Sequence, residues 1–233
     1  MKQKILFLAL LALTNSSSAQ KIKFKDENLK QALIQQGVDK NGNGIFESEE
    51  LDSTTKLKLD EKNISDLSGI ENFKNLVDLN LRKNNISNFS AISKLINLEM
   101  LVIGDNRNVG KLDLSKLEKL TGLFAYRNDL VEIKIGSKKL KSLYLQDNRF
   151  TSLKTEYFPD LETLNLDGCQ NLVTLDLSKN SNLLQLYIMG TKIEKLNISN
   201  NLKLKTFYVE SNVILEKNEN QDDLKAMPII RSK

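Results

Sequence analysis

Histidine is absent from this chain of 233 residues, and cysteine occurs once, at Cys169. Without imidazole, Ser-His and Cys-His nucleophilic machinery and every histidine-based metal site are excluded. A single cysteine excludes an intramolecular disulfide, so something else must hold the fold. There is no glycine-rich phosphate loop and no pair of carboxylates framed by a pocket, and the chain is not expected to be an enzyme. A surplus of one charge is also missing. Lys2 and Lys4 belong to the leader segment described next, and without them the 34 basic residues fall to 32, against 30 acidic ones. That balance argues against nucleic acid or an anionic membrane as the dominant partner.

Long hydrophobic runs are scarce as well. The longest, Ile5 to Leu13, follows Lys2 and Lys4 and precedes the small residues Ser17-Ser18-Ala19. This order is that of a secretory signal peptide over residues 1–19, cleaved near Ala19. A membrane anchor needs roughly 20 apolar residues, so the run is too short to span. No cysteine follows it to take a lipid. The expected destination is the periplasm, the cell surface or the medium.

What the chain does have is a repeat. Leu76-Val-Asp-Leu79-Asn-Leu81-Arg-Lys-Asn84 is followed by Leu98-Glu-Met-Leu101-Val-Ile103-Gly-Asp-Asn106. The frame returns at Leu120, Leu140, Leu161, Leu183 and Leu204, with starts 20 to 22 residues apart, after a degenerate first copy at Leu57 and Leu59. This is the leucine-rich-repeat pattern LxxLxLxxN, about eight times over. It predicts an α/β solenoid with a parallel concave sheet and a small helical N-terminal cap. Each LxL is a short strand with its leucines inward, and the ninth-position asparagine bonds to backbone of neighbouring turns. Cys169 and Thr191 stand at that asparagine position. Cys169 reads as a buried structural thiol rather than a nucleophile.

The return segments are of two kinds. Asn85 to Leu95 has helical or 3₁₀ spacing and resembles internalin-like repeats. Leu172-Val-Thr-Leu175-Asp-Leu177-Ser-Lys-Asn180 and Ile193-Glu-Lys-Leu196-Asn-Ile198-Ser-Asn-Asn201 alternate, and resemble the LDLSxN repeats of secreted leucine-rich-repeat proteins of Gram-negative bacteria. The predicted organisation is a cap over 20–53, repeats over 54–212, and a C-terminal cap or tail over 213–233, with a short helix over 219–227.

Ahead of the repeats lies Asp39-Lys-Asn41-Gly-Asn43-Gly44-Ile45-Phe46-Glu47-Ser-Glu-Glu50. It is similar to an EF-hand calcium loop. Asp39, Asn41 and Asn43 stand at positions 1, 3 and 5, Gly44 at the sixth, the Ile45 carbonyl at the seventh, Glu47 at the ninth and Glu50 at the twelfth. Phe46 departs from the smaller aliphatic usual at the eighth position. The helix before the loop is expected to start at Asp26 and end at Gly37. A solenoid exposes its core at each end. Calcium pinning Asp39 to Glu50 would therefore staple a cap, with modest affinity on the order of 10⁻⁴ to 10⁻³ M.

Two columns of the repeat point outward from the strand ladder. One reads Lys58, Asn80, Val102, Phe124, Tyr144, Asn165, Tyr187, Tyr208, and the other Asp60, Arg82, Gly104, Tyr126, Gln146, Asp167, Met189, Glu210. Aromatic anchors among polar neighbours are what recognition surfaces use. Phe124, Tyr126, Tyr144, Tyr187 and Tyr208 are therefore the expected partner-binding residues. Strand propensity alone is the plainer explanation for them. The resulting expectation is an exported, monomeric binding module for a protein or peptide. The alternatives are an envelope-associated repeat protein without a ligand, or a glycan-binding adhesin.

Overall fold

The computed structural model describes residues 21–106, 109–221 and 224. The signal peptide expected over 1–19 and most of the helix expected over 219–227 lie outside the described residues.

The repeat forms the predicted solenoid. Strands are numbered in chain order. Eight of them, β1 (Lys56–Lys58), β2 (Asp78–Asn80), β3 (Met100–Val102), β5 (Gly122–Phe124), β7 (Ser142–Tyr144), β9 (Thr163–Asn165), β11 (Gln185–Tyr187) and β13 (Thr206–Tyr208), make one parallel sheet in that order. Leu57, Leu79, Leu101, Leu123, Leu143, Leu164, Leu186 and Phe207 stand opposite one another. None is more than 1% exposed. Burying such a side chain contributes about 1.5–3 kcal/mol. A three-residue strand cannot supply that for itself, so each turn depends on its neighbours.

The asparagine ladder closes each concave strand. The Asn84 amide donates to Leu59 O at 2.8 Å and Leu81 O at 2.9 Å, and its Oδ1 accepts from Lys62 N and Ile64 N. Asn106, Asn128 and Asn148 repeat the arrangement one turn further each time. Cys169 takes the next rung, its thiol donating to Leu145 O at 3.3 Å. Burial pushes that thiol up to about 11, as suits an inert core group. Thr191 also fills a rung, through a bond to Ile188 O.

The residue just before each rung has positive φ: Glu61, Lys83, Asp105, Arg127, Asp147, Gly168 and Gly190. This left-handed step costs a non-glycine residue of the order of 1 kcal/mol or more. It aims the residue's N–H at a carbonyl of the following turn, as Asp105 N does at Tyr126 O, 2.9 Å.

The convex side changes character along the stack. Its first two segments are the 3₁₀ turns Ile70–Asn72 and Ser90–Lys94. From the next turn on it is built of strands: β4 (Lys111–Leu114), β6 (Glu132–Ile135), β8 (Ser152–Leu153), β10 (Thr174–Leu175), β12 (Lys195–Asn197) and β14 (Ile214–Glu216). They pair only two by two, as β4–β6, β8–β10 and β12–β14. Between β6 and β8 lies an open seam with a hollow of about 400 Å³, lined by Val131, Ile133, Ile135, Leu153 and Tyr157 among others. The repeat frame runs on past 212: β14 pairs with β12, inside the segment expected to be tail. A single 3₁₀ turn, Glu219–Gln221, opens the stretch where a helix was expected.

A second amide ladder runs along the convex strands. Asn180 donates to Thr155 O and Phe158 O, and Asn201 to Leu177 O and Asn180 O. Gln221 continues it, donating to Ile198 O and Asn201 O.

At the other end the cap is helical. Helix α1 (Glu27–Gln35) begins at Asp26, which accepts from Leu29 N at 3.0 Å, and Gly37 follows its end at φ 70°. Helix α2 (Ser48–Asp52) starts from a capping box between Glu47 and Glu50. Phe24 packs edge-on to Phe46, with ring centroids 4.9 Å apart, and also meets Phe73 of the first repeats. The approach is so close that a Cβ on Gly69 would lie 2.7 Å from the Phe24 ring.

Candidate functional site

The structure brings the two outward columns together as the sequence frame predicts. Lys58, Asn80, Val102, Phe124, Tyr144, Asn165, Tyr187 and Tyr208 are cross-strand partners in one unbroken register. Pleating puts consecutive side chains on opposite faces, so inward leucines force these residues outward. Phe124 and Tyr144 stack with centroids 4.7 Å apart and planes 11° from parallel. Tyr187 and Tyr208 stack at 5.2 Å and 10°. Such pairs contribute about 0.5–1.5 kcal/mol beyond the area they bury. The rings are therefore half-buried against one another rather than projecting freely into solvent.

Between the two stacks sits Asn165, 8% exposed, its Oδ1 accepting from Asp167 N. In the second column the Tyr126 ring lies over Gly104, where a Cβ would come within 2.4 Å of it. The Arg127 guanidinium sits 4.8 Å from the centre of the Tyr126 ring and is ion-paired to Asp105. The Asp167 carboxyl is raised above its ordinary range. Burial raises it most, nearby Asp147 and Glu210 add to the rise, and the bond from Met189 N opposes it. Burial also raises the Tyr187 hydroxyl, with Tyr144, Tyr208 and Asp167 adding to it.

The loop 39–50 is tied up internally. Asp39 accepts from Gly42 N and Gly44 N, both at 2.9 Å, and Gly44 turns at φ 73°. Asn41 and Asn43 accept from the backbone two residues on and donate their amides to Glu47. The Asn43 amide holds the Glu47 carboxyl below its ordinary range, and negative Asp39 opposes this. Glu50, 7% exposed, reaches across to accept from Lys40 N at 2.8 Å and from Glu47 N at 3.1 Å. Among the described residues no three Asp, Glu, Cys or His side chains form a ready metal cluster. The donor set is all oxygen, and a carboxylate has about four lone-pair sites, so these N–H bonds leave some free for a hard cation. Ile45 can add only its carbonyl.

Phe46 explains its own departure from the EF-hand frame. It is 2% exposed, and its backbone pairs antiparallel with Ile22, whose N–H donates to Phe46 O at 3.0 Å. The edge that a second loop would occupy is taken by the strand entering the cap.

Sequence reasoning missed the groups that dock this cap. The second Asp26 oxygen accepts from Ser65 N at 2.8 Å, from the Ser65 hydroxyl, and from Asp66 N. The Gln36 amide both donates to Lys58 O and accepts from Lys58 N, acting as one more rung on the free edge of β1.

Two solved structures share this architecture. One is the functional domain of InlJ from Listeria monocytogenes, described as including a cysteine ladder. It is 23% identical over 85% of this chain and 46% of that one, with a TM-score of 0.74. The other is internalin C2 from the same organism, 20% identical over 87% of this chain and 91% of that one, with a TM-score of 0.64. The chain thus spans less than half the length of the InlJ domain. At these identities the likeness shows the fold: a leucine-rich-repeat solenoid of the kind seen in internalins. No protein-family model matches the chain, and no curated protein does. Among the described residues no helix is long and apolar enough to cross a membrane.

Proposed function

We propose that the chain is an exported, non-enzymatic recognition module that binds a protein or peptide through its concave face. The loop Asp39–Glu50 would serve as a structural calcium site in the cap. The observation that carries this reading is the aromatic column: four rings of one strand register, stacked in two pairs on the side of the sheet that, among the described residues, faces no other layer. Strand propensity accounts for aromatic residues in a sheet, but not for four of them meeting in one outward column as two stacked pairs. An interface draws most of its energy from a few such anchors, each worth about 2 kcal/mol or more.

Changing Tyr144, Tyr187 and Tyr208 together to Ser is the test, with capture from culture supernatants and cell surfaces as the readout. Loss of both stacked pairs should lower stability by about 1–3 kcal/mol and leave the circular dichroism native, while capture of the partner is lost. A partner held equally well by the triple variant would move recognition to the convex side or the caps.

A further inference from the structure

The concave face divides by charge. In its first four turns cations and anions alternate and pair: Lys56 with Asp78, Arg82 and Lys83 with Glu61, Arg127 with Asp105. In the last four turns the corresponding stretches, 142–147, 163–168, 185–190 and 206–211, contain no lysine or arginine. They contain three tyrosines and the carboxylates of Asp147, Asp167 and Glu210. Among the described residues none of these carboxylates is in an ion pair. Backbone N–H groups of Met189 and Gly190 hold Asp167 and Glu210 in place.

The break in the aromatic column adds a shape. Tyr144 and Tyr187 flank Asn165 on adjacent strands. Two strand spacings put their rings about 9.6 Å apart, so a group midway lies about 4.8 Å from each. A cation interacts with an aromatic face within about 6 Å of its centroid. Asn165 is short and folded back onto Asp167 N, so it forms the floor of the slot rather than filling it. Asp167, two residues on from Asn165 and so on the same face, stands beside this slot, its Oδ1 accepting from Met189 N at 2.7 Å. The first half of the face already holds the matching assembly in occupied form. There Arg127 lies 4.8 Å from the Tyr126 ring centre with Asp105 as its counter-ion. In the second half the ring and the carboxylate are present, and among the described residues no cation is ion-paired to that carboxylate.

Building on the recognition reading above, we infer that the partner presents an arginine- or lysine-bearing peptide segment. Its cationic side chain enters the slot between Tyr144 and Tyr187 and pairs with Asp167, with Asp147 and Glu210 drawing in the flanking charges. Arginine is the better occupant, because a planar guanidinium lies against a ring and forks onto a carboxylate at once.

The test uses the full chain without its leader and fluorescein-labelled hexa-arginine, hexa-lysine and hexa-glutamate peptides, followed by anisotropy at low and moderate salt. The expected order is arginine over lysine, with no binding of glutamate and weakening as salt rises. Asp167→Asn keeps the shape of its side chain and should weaken hexa-arginine binding about tenfold. Glu132→Gln, on the convex side, should leave binding unchanged and so serves to detect diffuse attraction. Equal binding to the Asp167→Asn protein, or equal losses from Asp167→Asn and Glu132→Gln, overturns the inference. A captured partner that tolerates Asp167→Asn but is lost with the three tyrosines overturns it too, while leaving the concave face as the recognition surface.

Discussion

The two ends of the solenoid are closed by different chemistry. At the first turn a separate module covers the core. Asp26 ties α1 to residues 65 and 66, Gln36 completes the edge of β1, and three phenylalanines fill the gap between cap and repeats. At the last turn the repeat simply continues. Strand β14 extends the convex side and Gln221 extends the amide ladder, while β13 pairs only with β11 among the described residues. Exposure differs at one matching position: Leu59 is 0% exposed and its counterpart Val209 4%, while Leu57 and its counterpart Phe207 are both at most 1%. In a stack whose turns contact only their neighbours, an end turn has half the support of a middle one. A dedicated cap restores that support, and a prolonged repeat does so only in part.

The comparison breaks most directly at Asp26. Asp26→Ala removes a helix N-cap and three bonds to the first repeats, and should cost about 2–3 kcal/mol in urea or thermal unfolding. Burial alone would raise the Asp26 carboxyl, but the bonds from Ser65, Leu29 and Asp66 together outweigh it and hold it below its ordinary 3.8. The contribution is therefore present above pH 3.8 and lost as pH falls through the lower folded-state value. The Ala variant should show less acid destabilisation over that range, and an unchanged acid limb would show that Asp26 does not dock the cap.

A smaller effect separates the two ladders. Asn128 uses both its amide and its Oδ1, whereas among the described residues Asn201 Oδ1 has no donor. Asn128→Leu should cost about 2 kcal/mol and Asn201→Leu about half of that. Equal losses would mean that the convex ladder supports the stack as strongly as the concave one.

Calcium should sharpen the N-terminal side of the contrast. Millimolar calcium is expected to add about 1–2 kcal/mol at a few to tens of times Kd, and Glu50→Ala to abolish the gain. A melting curve indifferent to calcium and chelator would leave Asp26 and Gln36 as the staples of the cap. The smallest effect belongs to the far end. Gln221→Ala should cost about 1 kcal/mol and speed amide exchange in β13 and β14 only, with Lys138→Ala as a change of no consequence. Faster exchange in β1 instead would reverse the assignment of the weaker end.

Much of this was legible in the chain. Eight copies of LxxLxLxxN fix which side chains point inward, and the outward columns then follow from pleating, residue by residue. The loop's spacing, with its oxygen donors at alternate positions, is legible too. Other features were hidden because they depend on partners far away in sequence. Asp26 reads as a helix cap, and nothing local says that its other oxygen meets Ser65. The left-handed step before each rung is masked by Glu61, Lys83 and Arg127, residues with no preference for it, while Asp105, Asp147, Gly168 and Gly190 hint at it. Convex strands were anticipated at Leu172 and Ile193. The same alternation in Leu112-Asp-Leu114 and Ile133-Lys-Ile135 went unread, although it marks where the 3₁₀ returns end.

The paired convex strands have a mechanical consequence. The concave sheet is an unbroken band of hydrogen bonds and resists stretching, while strand pairing in the outer wall is interrupted at the β6/β8 and β10/β12 seams, the second of which the Asn201 amide bridges. Bending the stack therefore strains fewest bonds at the β6/β8 seam. The molecule is hinged like a watch bracelet, with one continuous strip and separate links behind it. The β6/β8 seam lies behind the strands that carry Phe124 and Tyr144, so a slight flex there shifts that stacked pair at little cost.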